Sequence, residues 1–214
     1  MATIITVAQR KGGVGKTTMA ICVAAELGRR GHDVALVDVD PQRSACHWAE
    51  LGNLEMPVYE MGLDEMPVAA WAREIRQIKA NLLVLDTAPT EREMGATIAL
   101  ADLILVPCTA SGLDIEATAH TMTIINAVRR RRSKPVKVLL VPNRIDRRTL
   151  EGRQLVEELR QFKEPLAPSV ASRSAFVRAF SVGQSVASYA PGQAADADIR
   201  TLTDAVEKAL PRRK

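Results

Sequence analysis

The stretch KGGVGKTT, residues 11–18, holds two lysines in six residues and separates an apolar run from a helical pattern. The run before it, TIITVAQ (3–9), reads as a buried strand. The pattern after it reads as a helix from about Lys16 to Arg30, ended by Gly31. Glycines at 12, 13 and 15 let the backbone turn tightly and bring N–H groups near phosphate oxygens, and the helix presents its N-terminus to the anion. Val14 and Thr18 complete the cradle. Lys16 is placed to reach terminal phosphates and Thr17 to put its hydroxyl on Mg²⁺. The strict pattern G-x-x-x-x-G-K-[ST] is not met, because Arg10 stands at its first glycine. A phosphate loop needs one lysine, so Lys11 requires its own explanation.

Outward from this loop, short apolar runs alternate with helical patterns. VALVDVD (34–40), LLVLDT (82–87), LILVPC (103–108) and VKVLLVPN (136–143) read as strands, each bounded by Pro, Asn or Asp. Helical stretches fall near 68–80, 92–101, 114–132 and 149–163. In a further stretch, 194–210, Ile199, Leu202, Ala205, Val206 and Leu210 recur at helical spacing. Strand–helix alternation predicts an α/β fold: a mostly parallel twisted sheet with helices on both faces and right-handed crossovers. Ligands then sit beyond the C-terminal ends of the strands. No repeat, low-complexity tract or linker divides the chain, so one domain over residues 1–214 is expected.

Acids stand where those strand ends meet the phosphates. In VDVDPQRS (37–44) a carboxylate either holds a water on Mg²⁺, orients an attacking water, or caps the helix beginning near Arg43. Geometry for in-line attack favours Asp40 for the water and Asp38 for the metal shell. LLVLDTAP (82–89) ends four apolar residues in Asp86, the form of a second Mg²⁺ element acting through water.

Composition narrows the class. The chain has 214 residues, 47% hydrophobic and 25% charged, an ordinary globular profile with enough length for a real core. Cys22, Cys46 and Cys108 are far apart, which argues against a zinc, iron–sulfur or disulfide framework and suits a reducing cytoplasm. MATIITVAQRKGG does not read as a signal peptide, and no apolar run approaches a membrane span. Charge is uneven: residues 1–128 carry 10 Lys/Arg and 16 Asp/Glu, residues 129–214 carry 19 and 9. A basic half suggests a polyanion-facing surface, or merely solvated arginine-rich helices.

Taken together, KGGVGKTT, VDVDPQRS, LLVLDTAP and VPNR (141–144) resemble the ParA/MinD family of deviant Walker P-loop ATPases over nearly the whole chain. The resemblance implies a Mg²⁺-dependent ATP hydrolase, slow without its partner, that dimerises when ATP is bound. It makes Lys11 the signature lysine that touches phosphate bound in the other subunit, against the plainer reading of a solvated loop residue. It makes Asp40 the catalytic acid and Asn143 the contact to adenine, where a turn residue is the alternative. Pro107, Ser111 and Asp114 keep the family's P-x-x-x-S-x-x-D frame, with Cys108 packed rather than reactive. Residues 172–186 resemble a nucleotide roof and basic face. Arg10 before the signature lysine, and DTAP (86–89) in place of the more usual DTPP or DLPP, depart from the family pattern.

The same resemblance guides the choice of branch. VEKALPRRK has Pro211 breaking the last helix and no bulky apolar face after it, which disfavours a membrane-binding tail. Cluster cysteines are missing, and strand one starting at residue 3 leaves no room for a preceding helix-turn-helix domain. The small ParA type is therefore implied: cytoplasmic and nucleoid-associated, binding duplex DNA without sequence specificity, with a ParB-like or cargo-adaptor protein stimulating hydrolysis. The cargo is a plasmid, a chromosome region or a protein body. RRRRSK (Arg129–Arg132, Lys134), Arg147, Arg148, Arg173, Arg178 and Arg212–Lys214 are candidates for phosphate contacts, the first run alternatively serving a helix dipole. Aromatics at 3% disfavour stacking on single strands. Two other readings share the scaffold: an ATP-dependent ligase of the dethiobiotin synthetase or cobyrinate amidoligase type, and a nucleotide-switched cell-division regulator.

Overall fold

The computed structural model describes residues 2–63, 66–146 and 148–211. Arg147, Arg212, Arg213 and Lys214 of the candidate basic set lie outside the described residues.

Apolar runs of five or six residues bounded by turn residues become buried strands. β1 (Thr3–Val7), β2 (Val34–Asp38), β4 (Leu82–Asp86) and β5 (Leu103–Cys108) are buried throughout, and β6 (Lys137–Pro142) is buried after its first residue. With the short β3 (Val58–Glu60) they form a six-stranded sheet in the order β3-β2-β4-β1-β5-β6, every pairing parallel. Alternate residues serve opposite faces. Ile5, Val7, Leu36, Val84 and Leu105 pack on one side, and Ile4, Ala35, Val37, Leu83 and Leu85 on the other. Burial of both faces explains why these strands are continuously apolar rather than alternating.

α1 (Lys16–Arg29), α2 (Ser44–Ala49), α3 (Val68–Ile75), α4 (Glu91–Leu100), α5 (Gly112–Arg129) and α6 (Leu150–Arg160) fill the connections. α7 (Ser174–Ser181), α8 (Val186–Tyr189) and α9 (Ala194–Ala209) complete the chain. α1 and α9 share one core layer with the sheet, through Ile21, Leu27, Ile199, Leu202 and Val206. On the opposite face of the sheet, Met94 and Ile98 of α4 pack with Met122 and Ile125 of α5, and Trp71 and Ile75 of α3 complete that side.

Expected and observed elements differ mainly at their ends. β1 stops at Val7 and β2 at Asp38, so Val39 and Asp40 already belong to the loop. α3 closes at Ile75 rather than residue 80. β3 and α8 are too short to carry a periodic pattern, and α7 is not among the helices expected from sequence. β3 is a three-residue edge strand with little burial, and α7 exposes Val177 and Phe180. Their positions follow from neighbours instead: Trp48 Nε1 donates to the Gln184 carbonyl at 3.1 Å, and Asn53 Nδ2 to the Val182 carbonyl at 2.9 Å.

The chain leaves β1 for β2 on one side and later fills β5 and β6 on the other, so the topology switches at β1. Connections diverge there, which opens a crevice above the strand ends. The loop 11–18 occupies it.

Candidate nucleotide site

Lys16 is the first residue of α1, and Gly15 precedes it with φ 91°. A Cβ on Gly15 would lie 2.6 Å from Asn143 Nδ2, so both backbone conformation and space demand glycine here. Gly13 also has positive φ, 77°. Gly12, Gly13, Gly15, Thr17 and Thr18 line a cavity of about 730 Å³, within the range of small-molecule sites. Val14 points away and is buried.

Lys16 is buried, and its Nζ donates to the Lys11 carbonyl at 3.2 Å. Burial lowers its pKa, while Asp86 and Asp40 favour the charged form. Thr17 Oγ1 donates to Asp86 Oδ2 at 2.6 Å. Asp86 is fully buried and its Oδ1 has no hydrogen-bond partner among the described residues. Burial pushes this carboxyl up to about 7, against the Thr17 hydrogen bond and Lys16, with Asp38 and Asp40 adding to the rise. A threonine hydroxyl beside an unsatisfied buried carboxylate oxygen is an oxygen-donor set that fits Mg²⁺.

The two acids of VDVD have different surroundings. Asp38 is buried; its Oδ2 accepts from the Ala45 and Cys46 N–H groups at 2.9 and 3.0 Å, and its Oδ1 from the Asp40 N–H at 3.1 Å. This is the helix-capping arrangement left open from sequence, realised by Asp38 at the start of α2. Its pKa is raised by burial, with the three N–H groups opposing. Asp40 is half-buried, lines the cavity, and accepts from the Gln42 N–H at 2.9 Å. Of the two, it is the carboxylate open to the cavity.

Lys11 lies against its own chain. Its Nζ donates to Oδ1 of Asp114, a fully buried residue of α5 whose other oxygen accepts from Thr109 Oγ1. The solvated-loop reading of Lys11 is thereby replaced by an ion pair with a residue 103 positions away. Gln9 ties the same region together. Its amide donates to Thr118 Oγ1 and the Pro107 carbonyl, and accepts from Thr121 Oγ1 and the Arg10 N–H. Arg10 points outward, 4.0 Å from Glu91. Cys108 is buried, its thiol pushed up to about 11 by burial, in keeping with packing.

Asn143 follows β6 and is buried at the cavity wall. Its Nδ2 donates to the Val14 carbonyl at 2.7 Å, leaving the amide oxygen as the group it offers to a base. The basic residues divide between two ends of the sheet. α5 runs back from the end of β5, so RRRRSK lies at the start of β6, far from the phosphate loop. Within that run Arg129 pairs with Glu164 and the Val136 carbonyl, and Arg132 with the Ile98 and Ala99 carbonyls. Arg130, Arg131 and Lys134 are exposed. Arg148 and Arg173 stand at the other end, paired with Asp146 and Asp198. Sequence reasoning set Asp114 in a family frame and Arg144 in VPNR but gave neither a partner, and it passed over Trp48, since each is defined by partners distant in the chain.

Residues 5–186 match the family described as the CobQ/CobB/MinD/ParA nucleotide binding domain. The chain is 34% identical over 191 residues to the maintenance of carboxysome distribution protein A of Halothiobacillus neapolitanus, covering 85% of each chain. It is 29% identical to the chromosome-partitioning ATPase Soj of Thermus thermophilus, covering 87% of this chain and 88% of that one. Among solved structures, an ATP complex of a Cyanothece McdA variant superposes with TM-score 0.80 at 16% identity, covering 100% and 98%. Cobyrinic acid a,c-diamide synthase of Mycobacterium smegmatis, with an ATP analogue and magnesium, gives 0.78 at 20% identity, covering 97% and 95%. These two likenesses establish the P-loop fold. The strand–loop–helix cradle, its acids and these matches agree: the chain belongs to the CobQ/CobB/MinD/ParA nucleotide-binding family, among relatives that partition chromosomes and distribute carboxysomes.

Proposed function

We propose that this chain is a Mg²⁺-dependent ATPase that dimerises on ATP, binds duplex DNA without sequence specificity, and positions a cargo. A partner protein of the ParB-like or cargo-adaptor kind stimulates hydrolysis and releases it from the nucleoid in the cytoplasm. The observation that carries the reading is the two-lysine loop. Lys16, buried beneath the loop, is the lysine for the chain's own nucleotide, while Lys11, held by Asp114, reaches a second subunit when that pair opens.

The loop amides of Gly12, Gly13, Val14, Gly15, Lys16, Thr17 and Thr18 and the α1 N-terminus bind the phosphates. Thr17 and Asp86 hold Mg²⁺, with Asp38 in the wider shell through its hold on the 40–44 segment. When bound, the ion neutralises charge on the phosphate oxygens. Asp40 orients the attacking water, and Lys16 and the partner's signature lysine stabilise charge developing on the transferred phosphoryl group. Asn143 accepts from the exocyclic amine of adenine through its remaining oxygen, a contact guanine, with an acceptor at that position, does not make.

The test is binding to a non-specific duplex with ATP, with ADP and without nucleotide, over a salt range, alongside Asp40→Ala with ATP. ATP-dependent, salt-sensitive binding that persists in Asp40→Ala is expected. Absence of binding in every state overturns the DNA-tethered switch and leaves the small-molecule ligase or a protein-only regulator. Acceptor-dependent ATP consumption then separates those two.

A further inference from the structure

β6 ends at Pro142, and the next two residues both reach back to the phosphate loop. Asn143 holds the Val14 carbonyl, and Arg144 donates from its guanidinium to the Gly13 carbonyl at 2.8 Å. Consecutive carbonyls of KGGVGKTT are thus captured by consecutive residues just after β6, more than a hundred positions away. Arg144 adopts φ 54°, a left-handed conformation that a long L side chain seldom takes. Its neighbours over-determine that geometry: the Asn143 N–H donates to the Cys108 carbonyl at 2.7 Å, and the Ile145 N–H to the Val170 carbonyl at 3.0 Å. A residue held in an unfavourable backbone state while its side chain grips a functional loop is a pattern that points to function.

We infer that Arg144 is a positioning residue that, with Asn143, locks the phosphate loop in its anion-receiving conformation before nucleotide arrives. A glycine-rich loop has many backbone states, and Gly13 at φ 77° occupies one that few residues share. A peptide whose carbonyl is held outward by a donor keeps its N–H directed to the opposite side. Fixing the Gly13 and Val14 carbonyls therefore turns the following amides toward the cavity and removes ordering entropy that binding would otherwise expend. The guanidinium keeps further donors, so the clamp does not exhaust Arg144. This role rests on the nucleotide-binding reading above, but its first consequence exists in the free protein.

The experiment is hydrogen exchange of the 11–18 segment in the nucleotide-free full chain, paired with ADP affinity and thermal midpoint, for wild type, Arg144→Met, Arg144→Gln and Arg144→Gly. Arg144→Gly removes the clamp while relieving the left-handed backbone, so its fold is not endangered by strain. Arg144→Met and Arg144→Gly are expected to exchange the loop amides about tenfold faster and bind ADP about tenfold more weakly, with core exchange unchanged. Arg144→Gln, which keeps a neutral donor, is expected to recover part of both. Unchanged loop exchange in Arg144→Met and Arg144→Gly overturns the inference. A loss of ADP affinity equal in all three variants without faster exchange also overturns it, since Arg144 then meets nucleotide charge directly. If wild type itself binds no ADP, the nucleotide reading fails, whereas the exchange measurement still decides the clamp.

Discussion

Thr17 and Asp86 are joined by a 2.6 Å hydrogen bond that leaves the second oxygen of a fully buried carboxylate without a partner. The pair comes from the P-loop helix and from the end of β4, brought together because β4 lies beside β1 in the sheet. The carboxyl is pushed up to about 7, above its ordinary 3.8, so the folded state holds a proton that the unfolded chain releases near pH 4. The associated stability is complete below pH 4 and is lost as pH rises through about 7, a span of roughly 4 kcal/mol at most. Asp86→Asn is expected to flatten that loss in nucleotide-free denaturation curves. Mg²⁺ competes with the same proton, so wild-type Mg²⁺–nucleotide affinity should rise between pH 6 and 8, and the variant should lack the rise. A wild-type affinity that is flat over this range would contradict the assignment.

Lys11 and Asp114 form an ion pair with one partner fully buried. Asp114→Asn keeps a bond to Thr109 but weakens the hold on Lys11, at a stability cost of about 1–3 kcal/mol. ATP-dependent self-association, followed by sedimentation velocity, is expected at lower protein concentration in that variant and to vanish in Lys11→Ala. Unaltered association in Lys11→Ala would sink the cross-subunit role.

Gly15 has no room for a side chain. Gly15→Ala places a methyl 2.6 Å from Asn143 Nδ2 at φ 91°, so both the loop and the Asn143–Val14 bond must shift. A loss of about 1–3 kcal/mol in stability is expected, together with loss of measurable ADP binding by calorimetry. Gly12→Ala, where nothing lies within 4 Å, should lose far less stability and serves as the comparison.

The arginine run 129–132 separates by function. Arg129 and Arg132 bond the Val136, Ile98 and Ala99 carbonyls, so replacing either by Ala should lower the thermal midpoint through about 1–2 kcal/mol. Arg130 and Arg131 are exposed. Arg130→Ala/Arg131→Ala should leave the midpoint within error, weaken DNA binding across all sequences, and reduce the salt slope by about 2. An unchanged slope would move the DNA face to the other end of the sheet, where Arg148 and Arg173 stand.

Much of the site was legible locally. A glycine-rich loop between an apolar run and a helical pattern, and acids terminating apolar runs, are short-range signals because backbone conformation and strand burial are written within a few residues. They place Lys16, Thr17, Asp40 and Asp86 at the same crevice once a parallel sheet is assumed. The α/β class followed from the same periodicities, as did β5 to the residue.

What only the tertiary structure decided are the partners of those groups. Local pattern assigned Asp40 to the water and Asp38 to the metal shell but left open which of them caps the next helix, and the direction of α2 made Asp38 the cap. The partner of Lys11 lies 103 residues away, and that of Val14 lies 129 away. The basic half reads as one block along the chain but splits between opposite ends of the sheet, because α5 runs antiparallel to the strands it follows. Periodicity reports which face of an element is buried; it carries no information on which distant polar atom satisfies a given donor. That choice is made when the sheet order brings strand ends together, and there the carbonyls of Gly13 and Val14 acquire Arg144 and Asn143.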